Sequence, residues 1–193
     1  MLCNHDVPGH AELQPGLRAD VVLPRPLARD ARGPGNGDPE FAGGARRPRG
    51  FAAVALDNPK CVSNVGGTMR AAQVYGAALI VISGQRFYKF KNSAADTMKA
   101  WRHTPVIETA DVFDALPHDC VPVACDLVPG AIPLPRYKHP ERAFYIFGAE
   151  DATLGSRILS RCRDVIVIPI ERCMNLACTV NVVLYDRMAK AGT

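Results

Sequence analysis

Two short, wholly apolar stretches near the carboxyl end constrain this chain more than anything else in it. AFYIF (Ala143 to Phe147) runs directly into Gly148, Ala149, Glu150 and Asp151, and VIVIPI (Val165 to Ile170) stops as abruptly at ERCMN. Each gives way to polar residues and then to a helix, the second being NLACTVNVVLYDRMAK (Asn175 to Lys190). A strand with no polar position is covered on both faces, which is the habit of parallel sheets. Such sheets bind ligands in the crevice at their strands' carboxyl ends, where helix N-termini and free backbone amides collect. The expectation is an α/β fold, with a mostly parallel sheet, helices on both faces, and a site built after Phe147 and Ile170.

The middle of the chain carries the same pattern. FAAVALD, from Phe51, reads as a first strand with NPKCVSN as its outgoing loop. Ser63 or Asn64 is placed to cap a helix that runs to Tyr75 and stops at Gly76, with Val65, Met69 and Ala72 on its inner face at i, i+4 and i+7. ALIVIS is a second buried strand, Pro105 to Thr109 a short one, ADVFDALP a short helix, and VPVACDL (Val121 to Leu127) another strand. The Pro-rich stretch VPGAIPLPRYKHPERA reads as a loop. Strands separated by crossovers of about a dozen residues or more pair in parallel.

Residues 1–50 differ in texture. They hold 7 of the 16 prolines, 8 of the 16 glycines and seven arginines without a lysine. A segment without periodicity cannot bury enough apolar area to offset its ordering entropy. It is expected to be a disordered arm ahead of one globular domain, residues 51–193. Two other readings are an arginine-rich RNA-binding tail, which six acids leave nearly neutral, and an extension ahead of the natural start. The net charge of +4 permits a nucleic-acid partner without demanding one. No apolar run of about 18 residues marks a membrane span, and MLCNHDVPGH lacks the pattern of a signal peptide. Seven cysteines form no C-x-x-C pair, and Cys120/Cys125 and Cys173/Cys178 fit no common zinc spacing. Reduced thiols in a cytoplasmic protein without a metal are the expectation.

Three junctions carry residues suited to chemistry. The loop after Asp57 leads through NPKCVS into a Gly-containing helix start, NVGGTMR, but fits neither common phosphate-binding glycine pattern. Asn64 and Arg70 are the polar residues it offers to the crevice; an N-cap asparagine and a solvated arginine are the plainer alternative. Glu150, Cys173 and Asn175 stand at the mouths of the two carboxyl-terminal strands. A helix start favours a thiolate at Cys173. A cysteine nucleophile wants a histidine beside it, however, and His103, His118 and His139 all lie in loop or basic segments, so a small residue packed against a ligand is the better reading.

LDNPKCVSNVGGTMRAA, FYIFGAEDATLG and VIVIPIERCMNLACTVNVVLYD, in that order and spacing, resemble the three motifs of the SpoU/TrmH branch of the SPOUT RNA methyltransferases. The resemblance spans about residues 51 to 190. The MNL tripeptide and compact length are similar to minimal single-domain members that methylate the tRNA wobble ribose. It implies a carboxyl-terminal trefoil knot, S-adenosyl-L-methionine bound there, an obligate homodimer and methyl transfer to a ribose 2′-hydroxyl of RNA. Matched residue by residue, it implies catalytic roles for Asn64, Arg70, Glu150 and Asn175, and cofactor contacts from Cys125, Asp126, Gly148, Ile168, Cys173 and Met174. Cys173 departs from the family's usual serine, which weakens a hydroxyl hydrogen bond there.

RNA would be gripped by Arg86, Lys89, Lys91, Lys99, Arg102 and His103, interleaved with Phe87, Tyr88, Phe90 and Trp101. Cations meet phosphates and aromatic rings stack an unpaired base; a solvated loop with its rings tucked into the core is the competing reading. The exit helix presents Leu176, Val180, Val183 and Leu184 as one stripe, and its remaining apolar surface with the first helix is the expected dimer contact. Two other functions compete: a catalytically weak RNA-binding homologue marked by Cys173, and a flavodoxin-like or nucleotide-binding α/β protein.

Overall fold

The structure, a computed structural model, describes residues 21–22, 50–84 and 102–191. Its strands are β1 (Val21–Val22), β2 (Phe51–Asp57), β3 (Leu79–Ser83), β4 (Val106–Thr109), β5 (Val121–Cys125), β6 (Ile132–Pro133), β7 (Arg142–Phe147) and β8 (Asp164–Val167). The helices are α1 (Val62–Tyr75), α2 (Gly155–Leu159) and α3 (Leu176–Ala191). They build one sheet in the order β1-β4-β3-β2-β7-β5-β8-β6. Every pairing from β4 to β6 is parallel, and β1 alone runs antiparallel, on β4. The α/β expectation therefore holds. Of the expected disordered arm, Val21–Val22 forms this edge strand, and apart from Gly50 the rest lies outside the described residues.

The unbroken apolar runs follow from position. β2 and β7 are the central pair, in register from Phe51 opposite Arg142 to Leu56 opposite Phe147. Their side chains alternate between two cores. Val54, Leu56, Tyr145 and Phe147 meet α1 and α3 on one face, while Ala53, Ala55, Phe144 and Ile146 meet Ile158 of α2 and the short 3-10 helix Val112–Ala115 on the other. Fully burying a large apolar side chain is worth roughly 1.5–3 kcal/mol, and the one hydroxyl at these positions, that of Tyr145, is hydrogen-bonded.

The structure departs from the expected boundaries where polar backbone has work elsewhere. The helix expected to be capped by Ser63 or Asn64 begins earlier, with Cys61 at the cap position and no side-chain cap of its own. Asn64 sits inside the first turn because its amide bonds other elements. The strand expected to reach Leu127 ends at Cys125, and the one expected to reach Ile170 ends at Val167. Past β8, Pro169 has no N–H to give a ladder, and its edge partner β6 is only two residues long. ADVFDALP forms only a 3-10 turn, closed by a reciprocal Asp111–Asp114 capping box. The Pro-rich loop supplies β6 and a second 3-10 turn, Leu134–Arg136.

Two features hold α3 in place. At its start, a Cβ placed on Gly67 of α1 would stand 2.7 Å from the Ala177 Cβ, so the helices touch where only glycine fits. At its other end, Arg187 and Lys190 donate to the backbone carbonyls of Leu134, Tyr137, Pro140 and Glu141. Asp186 accepts from Lys190 at 2.6 Å and lies 2.9 Å from His139 Nε2. Nε2 therefore carries the imidazole proton, leaving Nδ1 to accept from the Tyr145 hydroxyl at 2.6 Å. Burial lowers the His139 pKa, Asp186 opposes that, and the Lys190 and Arg187 charges add to the lowering.

Two outcomes follow from this anchoring. Gly67→Val should cost about 1–3 kcal/mol of stability in urea unfolding, as overpacking does, and adding Ala177→Gly should recover part of the loss. His139 contributes nothing to the pH dependence well above the ordinary histidine value of about 6.5. As pH falls below it, the unfolded chain binds the proton first, so stability declines until the lower folded value is passed. Replacing His139 with Gln should flatten that part of the profile in unfolding curves taken from pH 7.5 to about 5.

Candidate active site

The carboxyl ends of β5, β7 and β8 open on a cleft of about 490 Å³. Its walls include all six residues expected to line a cofactor: Cys125, Asp126, Gly148, Ile168, Cys173 and Met174. Glu150 joins them. Expectation from the sequence missed Leu127, Asp151, Ile170 and Thr179, which also line the space. Leu127 and Ile170 were assigned to strand ends, and Thr179 is marked only by its place one turn beyond Asn175. Among the described residues, the lining holds three carboxylates (Asp126, Glu150 and Asp151) and no Lys, Arg or His. Burial, aided by the Asp126 charge, pushes the Cys125 thiol up to about 12, so it stays neutral.

A directional chain of hydrogen bonds crosses the cleft mouth. Asn175 caps α3, its Oδ1 accepting from the amides of Ala177 (2.9 Å) and Cys178 (3.4 Å). Its Nδ2 donates to Asn64 Oδ1 at 2.8 Å, and Asn64 Nδ2 donates to Glu150 Oε1 at 2.5 Å. Glu150 also accepts from the Lys60 amide at 2.9 Å and the Cys61 amide at 3.3 Å. Burial acts to raise the Glu150 carboxyl, but these donors outweigh it and hold it below the ordinary range. The chain orders both amides: each asparagine oxygen faces donors and each NH2 faces an acceptor. Three of the four expected catalytic residues are thereby brought together.

Arg70 is not among them. It is exposed, and among the described residues it makes no hydrogen bond or ion pair. The six positions separating it from Asn64 leave the two about 120° apart around α1. They therefore do not share the one crevice expected of them. Among the expected RNA contacts, Arg102 and His103 are exposed. Arg86, Lys89, Lys91 and Lys99, with the four aromatics, lie outside the described residues. The thiol whose pKa falls in the site is Cys61: the Ser63 hydroxyl at 2.9 Å and the Ser63 and Asn64 amides favour its thiolate, against burial and the Glu150 charge. Cys173 is exposed and has no hydrogen-bond partner among the described residues.

Several solved structures share this fold. The model of the SpoU rRNA Methylase family matches residues 52–185. Comparison with curated protein sequences gives no match. Among solved structures, the SpoU methyltransferase AviRb from Streptomyces viridochromogenes, in complex with AdoMet, superposes with a TM-score of 0.66 at 19% identity, over 74% of this chain and 58% of that one. The chain thus spans less than two-thirds of the AviRb chain. The A. aeolicus TrmH/SpoU tRNA modifying enzyme gives 0.66 at 15% identity, over 76% and 78%. A structure described as giving insight into the 2-OH methylation of C/U34 on tRNA gives 0.61 at 23%, over 73% and 91%. These likenesses establish the fold. With the family match covering most of its length, this chain belongs to the SpoU rRNA Methylase family.

Proposed function

We propose that this chain transfers a methyl group from S-adenosyl-L-methionine to a ribose 2′-hydroxyl of RNA, with tRNA a better fit than rRNA. The observation that carries this reading is the hydrogen-bonded chain from Asn175 through Asn64 to Glu150 at the mouth of a cleft lined by carboxylates and apolar side chains. A cleft whose described lining holds three carboxylates and no cation is poorly suited to a nucleotide phosphate, which weighs against the nucleotide-binding alternative. It suits a positively charged sulfonium that carries no phosphate. Cys125, Gly148, Ile168, Cys173 and Met174, with Leu127 and Ile170, would hold that donor. A bound donor supplies a methyl group already activated by the sulfonium charge. The tRNA preference is supported by compactness, since the chain covers 91% of the structure concerned with C/U34 of tRNA.

The chain's own residues then have to position and polarise the hydroxyl. Glu150 is a poor proton acceptor, because three donors stabilise its ionised form and lower its pKa. Its work is to fix the Lys60–Cys61 turn and Asn64. Arg70 is exposed on α1 and makes no hydrogen bond or ion pair among the described residues, and a guanidinium does not act as a base. It stabilises the developing alkoxide, with an RNA phosphate as proton acceptor. Arg102, with Arg86, Lys89, Lys91 and Lys99, grips the RNA backbone. The reading includes a threaded carboxyl-terminal tail and a homodimer. For the dimer, the exposed Val74 and Tyr185 and the Tyr75 ring packed edge-on to Tyr185 supply an apolar patch on α1 and α3. The lone Cys173 thiol favours a second reading, a weakly catalytic RNA-binding homologue, which donor binding without methyl transfer to total RNA would establish.

Arg70→Ala should lower methyl transfer to tRNA by about 100-fold or more, the usual scale for removing one charge-stabilising donor, with donor affinity unchanged. Mass mapping of ribose-methylated nucleosides reads the result, and full turnover in the variant would sink the role given to Arg70. Glu150, with its folded pKa lowered, contributes stability above its unfolded value of about 4.3 that is lost as pH falls through the folded one. Glu150→Gln should therefore weaken stability at neutral pH by about 1 kcal/mol and flatten unfolding curves between about pH 6 and 3.

A further inference from the structure

Asp126 lines the cleft, yet both of its carboxylate oxygens are already engaged. Oδ1 accepts from the Leu127 amide at 2.7 Å and Oδ2 accepts from the Leu154 amide at 2.8 Å, while its own N–H donates to Ile166 O at 3.0 Å. The carboxylate thus ties the end of β5 to the far end of the loop that follows β7. That loop, residues 148–154, forms much of the cleft wall. Its near end is tied by Glu150 to Lys60, Cys61 and Asn64. Leu154 is 6% exposed, in the core beside Ile158, and a Cβ on Gly148 would stand 3.3 Å from its Cγ. The wall is therefore a strap held at each end by a carboxylate that accepts backbone amides, with a buried leucine closing it onto its own first residue.

We propose that Asp126 is a positioning residue, whose bond to the Leu154 amide holds the 148–154 loop in the shape that admits the methyl donor, and not a ligand of the donor. This rests on the reading of the cleft as a donor site. Each Asp126 oxygen commits one lone pair to an amide, so about two of its four acceptor sites already serve to tie the end of β5 to Leu154. Without it, the Leu154 amide must find water, and the loop is free to close into the space it now frames.

The test separates the two roles. Asp126→Ala and Asp126→Asn are compared with the native chain by calorimetric titration with S-adenosyl-L-methionine, steady-state methyl transfer, and amide hydrogen exchange. The expected result is a rise of about tenfold in donor Kd and KM for the alanine variant, equivalent to about 1.4 kcal/mol, with kcat kept. Asparagine, which retains one acceptor oxygen, should lie between. Leu154 should lose exchange protection in step with affinity, while Ile146 in the central strand keeps its own. Weakened affinity with Leu154 still protected would make Asp126 a direct ligand and overturn the proposal, as would unchanged donor affinity. A native chain that binds no donor would instead overturn the methyl-donor reading, and this proposal with it.

Discussion

The Asn64–Glu150 hydrogen bond joins parts of the chain that the sheet alone would leave independent. It spans 86 residues of sequence and links the first turn of α1 to the loop after β7. Through Asn175 the same bond continues to the start of α3. A parallel sheet supplies strand ends at one edge and helix starts above them, but it does not set the starts at a common height. The two asparagines do so, because each has one acceptor and one donor side and every partner must match. Burial acts to raise the Glu150 pKa, but the Asn64 amide and the Lys60 and Cys61 backbone amides that donate to it hold it below the ordinary range. Ionised Glu150 is thus a structural anion first, and any chemistry at this mouth is built around it.

The packing of α1 on α3 serves that alignment. Asn64 and Asn175 reach each other at 2.8 Å only if the helices approach closely one turn further in. Gly67 against Ala177 permits it. A larger side chain there would separate the helix starts by more than a hydrogen bond tolerates, so a steric condition in the core becomes a condition on the site. The cost of glycine within a helix, about 0.5–1 kcal/mol against alanine, is accepted at a position where nothing else fits.

Much of this was legible in the sequence, for reasons tied to particular residues. The apolar runs at Phe51, Leu79 and Ala143 admit only a strand covered on both faces, so the parallel sheet followed from them. Gly76 at φ +71° stops α1 where a left-handed residue was expected. The six residues that the resemblance implies as cofactor contacts all line one cleft. What the sequence hid was where polar groups are spent. Asn64 resembles a cap locally, and only the fold reveals that distant Glu150 and Asn175 claim its amide. Asp126 reads as a strand-end ligand, and only the fold reveals that each of its oxygens also accepts a backbone amide. β6 was illegible because two residues between Gly130 and Pro135 carry no pattern, and they become a strand only when β8 lies alongside.

The other end of α3 explains why this helix can carry such a demanding start. Arg187 is 6% exposed and spends its guanidinium on the carbonyls of Pro140 and Glu141, and Lys190 spends its ammonium on Leu134, Tyr137 and Asp186. Buried charges of this kind contribute little net stability, because desolvation offsets the attraction. Their value is registry. A helix held only by an apolar stripe can slide or rotate by a fraction of a turn at little cost, since one leucine replaces another. Fixed carbonyl acceptors at one end and a matched asparagine pair at the other remove that freedom. His139, neutral and wedged between Tyr145 and Asp186, completes the lock on the side facing the sheet. Polar groups thus set where α3 begins, and the apolar core supplies the energy that keeps it there.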